Sequence, residues 1–134
     1  MAQVPSLLLL NKIPFDGDIF SITIAERTKA IPFPIERVYW LQAGDIASQR
    51  GNHAHLNSQQ VLVALSGQIK VRITDLANKE SIFEIEPDAK GLFIPENHWL
   101  SIDMPPKSLL LCISSCLFDN QVTLYDLEEF LNQK

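Results

Sequence analysis

The chain is predicted to be all-β, a sandwich or small barrel with one short C-terminal helix, on three observations. Short apolar or alternating runs recur at close spacing from about residue 4 to about residue 114, each ended by turn residues, with no helical period between them. In Ile69-Lys70-Val71-Arg72-Ile73-Thr74 the alternation is strict, so one face meets a core and the other meets water. Only the tail changes period: Leu124, Leu127, Phe130 and Leu131 recur at helical spacing. A βαβ arrangement has no helices to build it.

Taken in order, strands are expected at 7–10, 19–24 and 37–41, with Ile31-Pro32-Phe33-Pro34 as a proline-stiffened extended connection before the third. Runs at 51–55, 60–66 and 68–74 follow, the last two joined by a tight hairpin turn at Ser66-Gly67. Asp75-Leu76-Ala77-Asn78-Lys79-Glu80 and Pro87-Asp88-Ala89-Lys90-Gly91 read as turns around a strand at 81–85. Strands at 92–94, 99–102 and 108–114 complete the series, linked by Pro95-Glu96-Asn97 and Pro105-Pro106-Lys107. The helix is expected over about 124–132, with Thr123 as its N-cap.

A chain of 134 residues with 46% hydrophobic and 20% charged residues forms one domain, 1–134, with a core of its own. A net charge of −5 excludes a general attraction to nucleic acid or an anionic membrane, so a phosphorylated ligand has to be met by a few placed arginines. The apolar opening Val4-Pro5-Ser6-Leu7-Leu8-Leu9-Leu10 is too short to cross a bilayer and has no basic leader segment. A cytoplasmic location is the resulting expectation. Cys112 and Cys116, the only cysteines, are expected to be reduced thiols.

Chemistry concentrates in Arg50-Gly51-Asn52-His53-Ala54-His55. The three histidines are His53, His55 and His98, and on an extended segment the first two project to one face. Paired imidazoles suit metal ligation or proton transfer near neutral pH. On the preceding strand, Arg37 and Tyr39 share a face.

A small barrel with His-x-His on one strand resembles the cupins, whose fold is a double-stranded β-helix or jelly roll. Metal-binding cupins add a glutamate about four residues on and a further histidine on a later strand. Here Gln59 occupies the first of those positions and Leu100 the second, with His98 displaced by two residues. Two imidazoles, an amide and a leucine are a poor donor set, so no metal and no cofactor are expected.

A closer resemblance, from about Phe15 to the C-terminus, is to the dTDP-4-keto-6-deoxyhexose 3,4-ketoisomerases, a metal-independent branch of the cupins. It is carried by Ile31-Pro32-Phe33, Arg37-Val38-Tyr39-Trp40, Arg50-Gly51-Asn52-His53-Ala54-His55, Gln60-Val61-Leu62, Ser66-Gly67, Gly91-Leu92-Phe93-Ile94-Pro95, Trp99 and the closing stretch from Tyr125 to Leu131. The resemblance implies conversion of a dTDP-linked 4-keto sugar to its 3-keto isomer through an enediol. His53, His55 and Tyr39 are then the catalytic residues, with pKa values held near neutrality; which histidine is the carbon base does not follow from the sequence, and the assignment adopted is His55 at carbon with His53 its partner at the oxygens. Arg37 and Arg50 are the expected diphosphate anchors, Gln60 a sugar or histidine contact, and Trp99, or else Trp40, a stacking surface for the base. A homodimer with exchange of an N-terminal strand is implied too, and the apolar 7–10 run suits it. Departures stand at Asp16-Gly17, where relatives often read Arg-Gly, and at Leu100, where many have histidine. A non-catalytic nucleotide-sugar-binding cupin and a metal-dependent cupin enzyme are the alternatives.

Overall fold

The described residues form twelve strands, one 3-10 turn and one short helix. The computed structural model describes residues 3–17, 19–28 and 30–133. The strands are β1 (Ser6–Leu9), β2 (Asn11–Phe15), β3 (Phe20–Ile24), β4 (Arg37–Gln42), β5 (Ser48–His55), β6 (Gln60–Ser66), β7 (Ile69–Thr74), β8 (Glu80–Ile85), β9 (Lys90–Ile94), β10 (His98–Met104), β11 (Leu109–Ser114) and β12 (Thr123–Leu124). The 3-10 turn is Phe118–Asn120, and α1 is Leu127–Leu131.

Two five-stranded antiparallel sheets face one another, ordered β1-β9-β6-β11-β4 and β12-β5-β10-β7-β8. Their inward side chains make the main core: Leu62, Leu92, Leu110 and Cys112 from the first sheet meet Val71, Ile73, Leu100 and Ile102 from the second. The predicted alternation of β7 is observed, with Ile69, Val71 and Ile73 buried and Lys70, Arg72 and Thr74 half-buried. The architecture is the all-β jelly roll expected, with its short C-terminal helix.

β6 is buried on both faces, which accounts for its unbroken apolar run Val61-Leu62-Val63-Ala64. Its outer face is covered by the proline-stiffened connection, whose Ile31 and Phe33 pack on Val61, Val63, Phe93 and Ile113. Burying each of those two side chains contributes about 1.5–3 kcal/mol. α1 does the same for the second sheet through Phe130, whose ring lies 6.1 Å from that of Trp99.

Three expectations are corrected. Ser66-Gly67 is not a hairpin turn between paired strands: β6 pairs with β9 and β11, β7 with β8 and β10, so this turn crosses from one sheet to the other. Gly67 has φ +84°, and a Cβ there would stand 2.9 Å from that of Ser108, so the crossing requires glycine. The helix starts later than predicted, because Thr123 and Leu124 pair with His55 and Ala54 and Asp126 is the N-cap, accepting from the Glu128 and Glu129 amides. An unpredicted strand, β2, pairs with β3 into a hairpin exposed along nearly its whole length, with the Phe15 and Phe20 rings stacked at 5.3 Å near its tip. The 7–10 run lies on the edge of its own chain's β9.

β5 carries a bulge. His53 pairs with Leu100 and Gly51 with Ser101, leaving Asn52 as the extra residue, and Gly51 and Asn52 both take positive φ, +88° and +58°. A Cβ on Gly51 would also meet the Leu100 carbonyl oxygen at 3.0 Å. Gly51→Ala is therefore expected to cost about 1–3 kcal/mol in urea unfolding, and an unchanged midpoint would show that the bulge tolerates a side chain.

Candidate active site

The site is built where β4, β5, β6 and β12 converge. Past the bulge, His53 pairs with Leu100, which is buried in the core, so His53 and His55 face the interior together as their spacing predicts. Their Nε2 atoms are 2.8 Å apart and the rings meet edge to face with centroids at 4.5 Å. Two imidazoles at that separation share one proton between the facing nitrogens. His55 is only 7% exposed. Desolvation, then the nearby His53, then the Arg37 charge push its pKa down from 6.5 to about 3, so the sequence-based expectation of a near-neutral pKa does not hold for it.

β4 supplies the facing wall. Alternation turns Arg37 and Tyr39 inward and leaves Val38 and Trp40 exposed on the outer face. The Arg37 guanidinium lies 4.6 Å from the centre of the Tyr39 ring and 5.5 Å from that of Phe118, and donates to Gln121 Oε1 at 2.6 Å. No salt bridge forms to it among the described residues, and its Nε is buried without a partner. A half-buried cation held by aromatic rings and an amide, with no carboxylate, keeps donors free to meet an anion.

The buried Gln60 amide donates to the Tyr39 hydroxyl at 3.0 Å. Burial pushes the Tyr39 pKa well above the usual phenol range, with the neighbouring Cys112 adding to the shift, so Tyr39 acts as a neutral O–H. Cys112 stands directly across from it on β11, and burial pushes its thiol up to about 12. It is an inert wall residue.

The structure thus brings together His53, His55, Arg37, Tyr39 and Gln60. Arg50 lies on the far side of the bulge on the exposed part of β5, opposite Ile102. Trp99 is not among them: it pairs with Ala54, on the face of β10 opposite to Leu100, and packs on Phe130. Trp40 is 64% exposed on the outer face of β4. His98 pairs with His55 in register, but its Nδ1 contacts the Glu96 carbonyl at 2.9 Å, and the residue lines a groove of about 800 Å³ with Pro5, Asp75, Lys79 and Pro95. Among the described residues no group of three His, Cys, Asp or Glu side chains is arranged to hold a metal ion. Leu100, directly opposite His53, presents methyl groups where a ligating cupin presents a donor. The donor set does not fit a metal.

In the sequence, Gln121, Thr123 and Tyr125 carry no sign of a place in the site, and Thr123 is offered only as a helix cap. Gln121 and Thr123 link Arg37 to His55, and the exposed Tyr125 ring lies 6.0 Å from that of His53. Only the pairing of β12 with β5 brings them here, and two residues of strand leave no periodic signal.

The family model described as FdtA, "WxcM-like, C-terminal", matches residues 6–134. The chain belongs to this family. A TDP-4-oxo-6-deoxy-alpha-D-glucose-3,4-oxoisomerase from Aneurinibacillus thermoaerophilus is 32% identical over 100 residues, 74% of this chain and 71% of that protein. The crystal structure of a sugar 3,4-ketoisomerase from Thermoanaerobacterium thermosaccharolyticum, in complex with TDP, matches with a TM-score of 0.85 at 27% identity, covering 98% of this chain and 95% of the other. A TDP-quinovose 3,4-ketoisomerase from Campylobacter jejuni matches at 0.86 and 29% identity, covering 96% and 98%.

The depressed His55 pKa ties stability to pH. Below 6.5 the unfolded chain protonates this imidazole while the folded chain keeps it neutral down to about 3, so stability falls as pH falls through that window. The slope from one such group approaches about 1.4 kcal/mol per pH unit. Urea unfolding at pH values spanning the upper part of the window should show it, and His55→Asn should flatten it; an equal slope in the variant would remove His55 as its source.

Proposed function

We propose that this protein is a nucleotide-sugar 3,4-ketoisomerase that converts a dTDP-linked 4-keto-6-deoxyhexose to its 3-keto isomer by proton transfer alone. The observation that carries the proposal is the imidazole pair, buried at His55 and half-buried at His53, facing an arginine with no carboxylate partner and a neutral tyrosine. The family and the names of the relatives agree with it.

The substrate carbonyl at C4 acidifies the proton on C3. His55 Nε2 takes that proton while His53 protonates the oxygen on C4, toward which Tyr39 directs its O–H as a hydrogen-bond donor, and the enediol forms. His55 then returns its proton to C4 as the oxygen on C3 passes its own to His53, so each group ends as it began and the oxidation at C3 is matched by the reduction at C4. Tyr39 suits the oxygen role because it stays protonated, and Gln60 holds its hydroxyl in place.

Arg37 takes the diphosphate, with Arg50 further out along β5. Binding there also adjusts the base. Part of the depression of His55 comes from the Arg37 charge, and a diphosphate offsets that charge, so the imidazole becomes a better proton acceptor once substrate is in place. No metal enters this reaction, in keeping with the donor set. Trp99 has no substrate contact in this reading.

The protein acts as a homodimer with an exchanged N-terminal segment. Since β1 lies on its own sheet, the segment that crosses is the β2–β3 hairpin, whose exposed Ile13, Phe15, Phe20 and Ile22 require a cover.

The direct test is incubation with a dTDP-4-keto-6-deoxyhexose in heavy water. Deuterium should enter at the reacting carbons as the 3-keto isomer forms; unchanged sugar with no exchange would defeat the proposal. His55→Asn should lower turnover by about 10²–10⁴-fold, and Arg37→Leu should mainly raise KM. Ultracentrifugation should return twice the chain mass, and a monodisperse monomer would remove the exchanged hairpin.

A further inference from the structure

His55 makes one side-chain contact from each ring nitrogen. Nε2 faces His53 at 2.8 Å, and Nδ1 faces the Thr123 hydroxyl oxygen at 3.5 Å, the long end of hydrogen bonding, and that oxygen is the one partner Nδ1 has among the described residues. The contact follows from the ladder: β12 consists of two residues, and its pairing with β5 sets Thr123 directly opposite His55.

Thr123 is itself held. Gln121 Nε2 donates to its hydroxyl oxygen at 3.1 Å, and Gln121 Oε1 accepts from Arg37 at 2.6 Å. The guanidinium has donors only, so the glutamine can face it only with its oxygen, and the amide nitrogen must then face Thr123. One always-charged side chain therefore fixes the amide, which fixes the threonine rotamer. The hydroxyl oxygen has two lone pairs; Gln121 occupies one and the other is open to His55 Nδ1.

We propose that Thr123 and Gln121 are positioning residues for His55: the threonine oxygen accepts the proton on Nδ1, so the lone pair of Nε2 is held toward the cavity. The catalytic meaning of this arrangement rests on the isomerase reading, whereas the placement of the proton does not. A neutral imidazole can accept a proton only at its bare nitrogen, so a base working through Nε2 requires the Nδ1–H form. Nothing acidic does this job here. A neutral acceptor fixes the tautomer without the carboxylate charge that would raise the imidazole's affinity for protons. In the free protein His53 then donates from its own Nε2 to that of His55. Because Arg37 is also the proposed diphosphate anchor, one hydrogen-bonded line joins the handle of the substrate to the orientation of the base.

The test is long-range proton–nitrogen correlation spectroscopy of the full chain carrying ¹⁵N-histidine, near neutral pH and without substrate. His55 should show a protonated, pyrrole-type Nδ1 and a bare, pyridine-type Nε2. Thr123→Val keeps the shape and β propensity of the side chain but removes the acceptor, and should draw the two signals together as both tautomers become populated; Thr123→Ser should keep them apart. Turnover should fall on the order of 10- to 100-fold in Thr123→Val, as for hydrogen-bond partners behind ligating histidines, with KM little changed and with recovery in Thr123→Ser. A pyrrole-type Nε2 in the wild-type protein, or ring signals unmoved by Thr123→Val, would overturn the proposal. If the predicted tautomer is observed in a protein that turns over no sugar, the positioning role stands and the isomerase reading falls.

Discussion

The constraint on which the site depends is the pairing of a buried imidazole, His55, with a half-buried one, His53. A buried imidazole needs a partner for each nitrogen, and two inward histidines on one strand meet that need in part by facing each other. Much of the local architecture follows. The bulge at Gly51 and Asn52 takes up the extra residue, so that the strand beyond it meets Leu100 squarely. The leucine offers no competing donor, and β12 reaches in to serve the one nitrogen His53 leaves unoccupied. A charge nearby would normally collapse onto a carboxylate; Arg37 instead lies among aromatic rings and an amide, which hold it without neutralising it.

What was legible in the sequence was whatever depends on neighbours along the chain. The common face of His53 and His55, and that of Arg37 and Tyr39, follow from the two-residue period of an extended backbone. Strand order does not. The turn at Ser66-Gly67 has the residues of a hairpin, but whether its flanking strands pair is decided by β9, β10 and β11 much later in the chain. The placement of Trp99 outside the cluster is hidden for the same reason: a tryptophan beside a proline turn gives no sign of which face its strand will turn inward, and here Leu100 takes the inside. Thr123 is a residue type that caps helices and also joins strands, and tertiary pairing chose the strand. The second strand was hidden by Pro14, which a hairpin accepts and a central strand does not.

Depth was equally hidden. A histidine's pKa depends on how much of its surroundings is water, and that is a sum over elements from every part of the chain. The descent of His55 comes first from desolvation and then from His53 and Arg37, and Arg37 comes from a strand the local pattern does not place beside it. Outer layers contribute as well: Phe33 on one sheet and Phe130 on the other seal faces that an isolated two-sheet sandwich would leave wet, and so keep the interior dry from both sides.

The state of Tyr39 bears on how the chemistry is to be read from kinetics. Set between a thiol and an amide in a dry wall, the phenol holds its hydrogen far into the basic range. It cannot serve as an oxyanion at any pH a cell experiences, and an alkaline limb in a rate profile would have to be ascribed to some other group, the sugar's own hydroxyl among them.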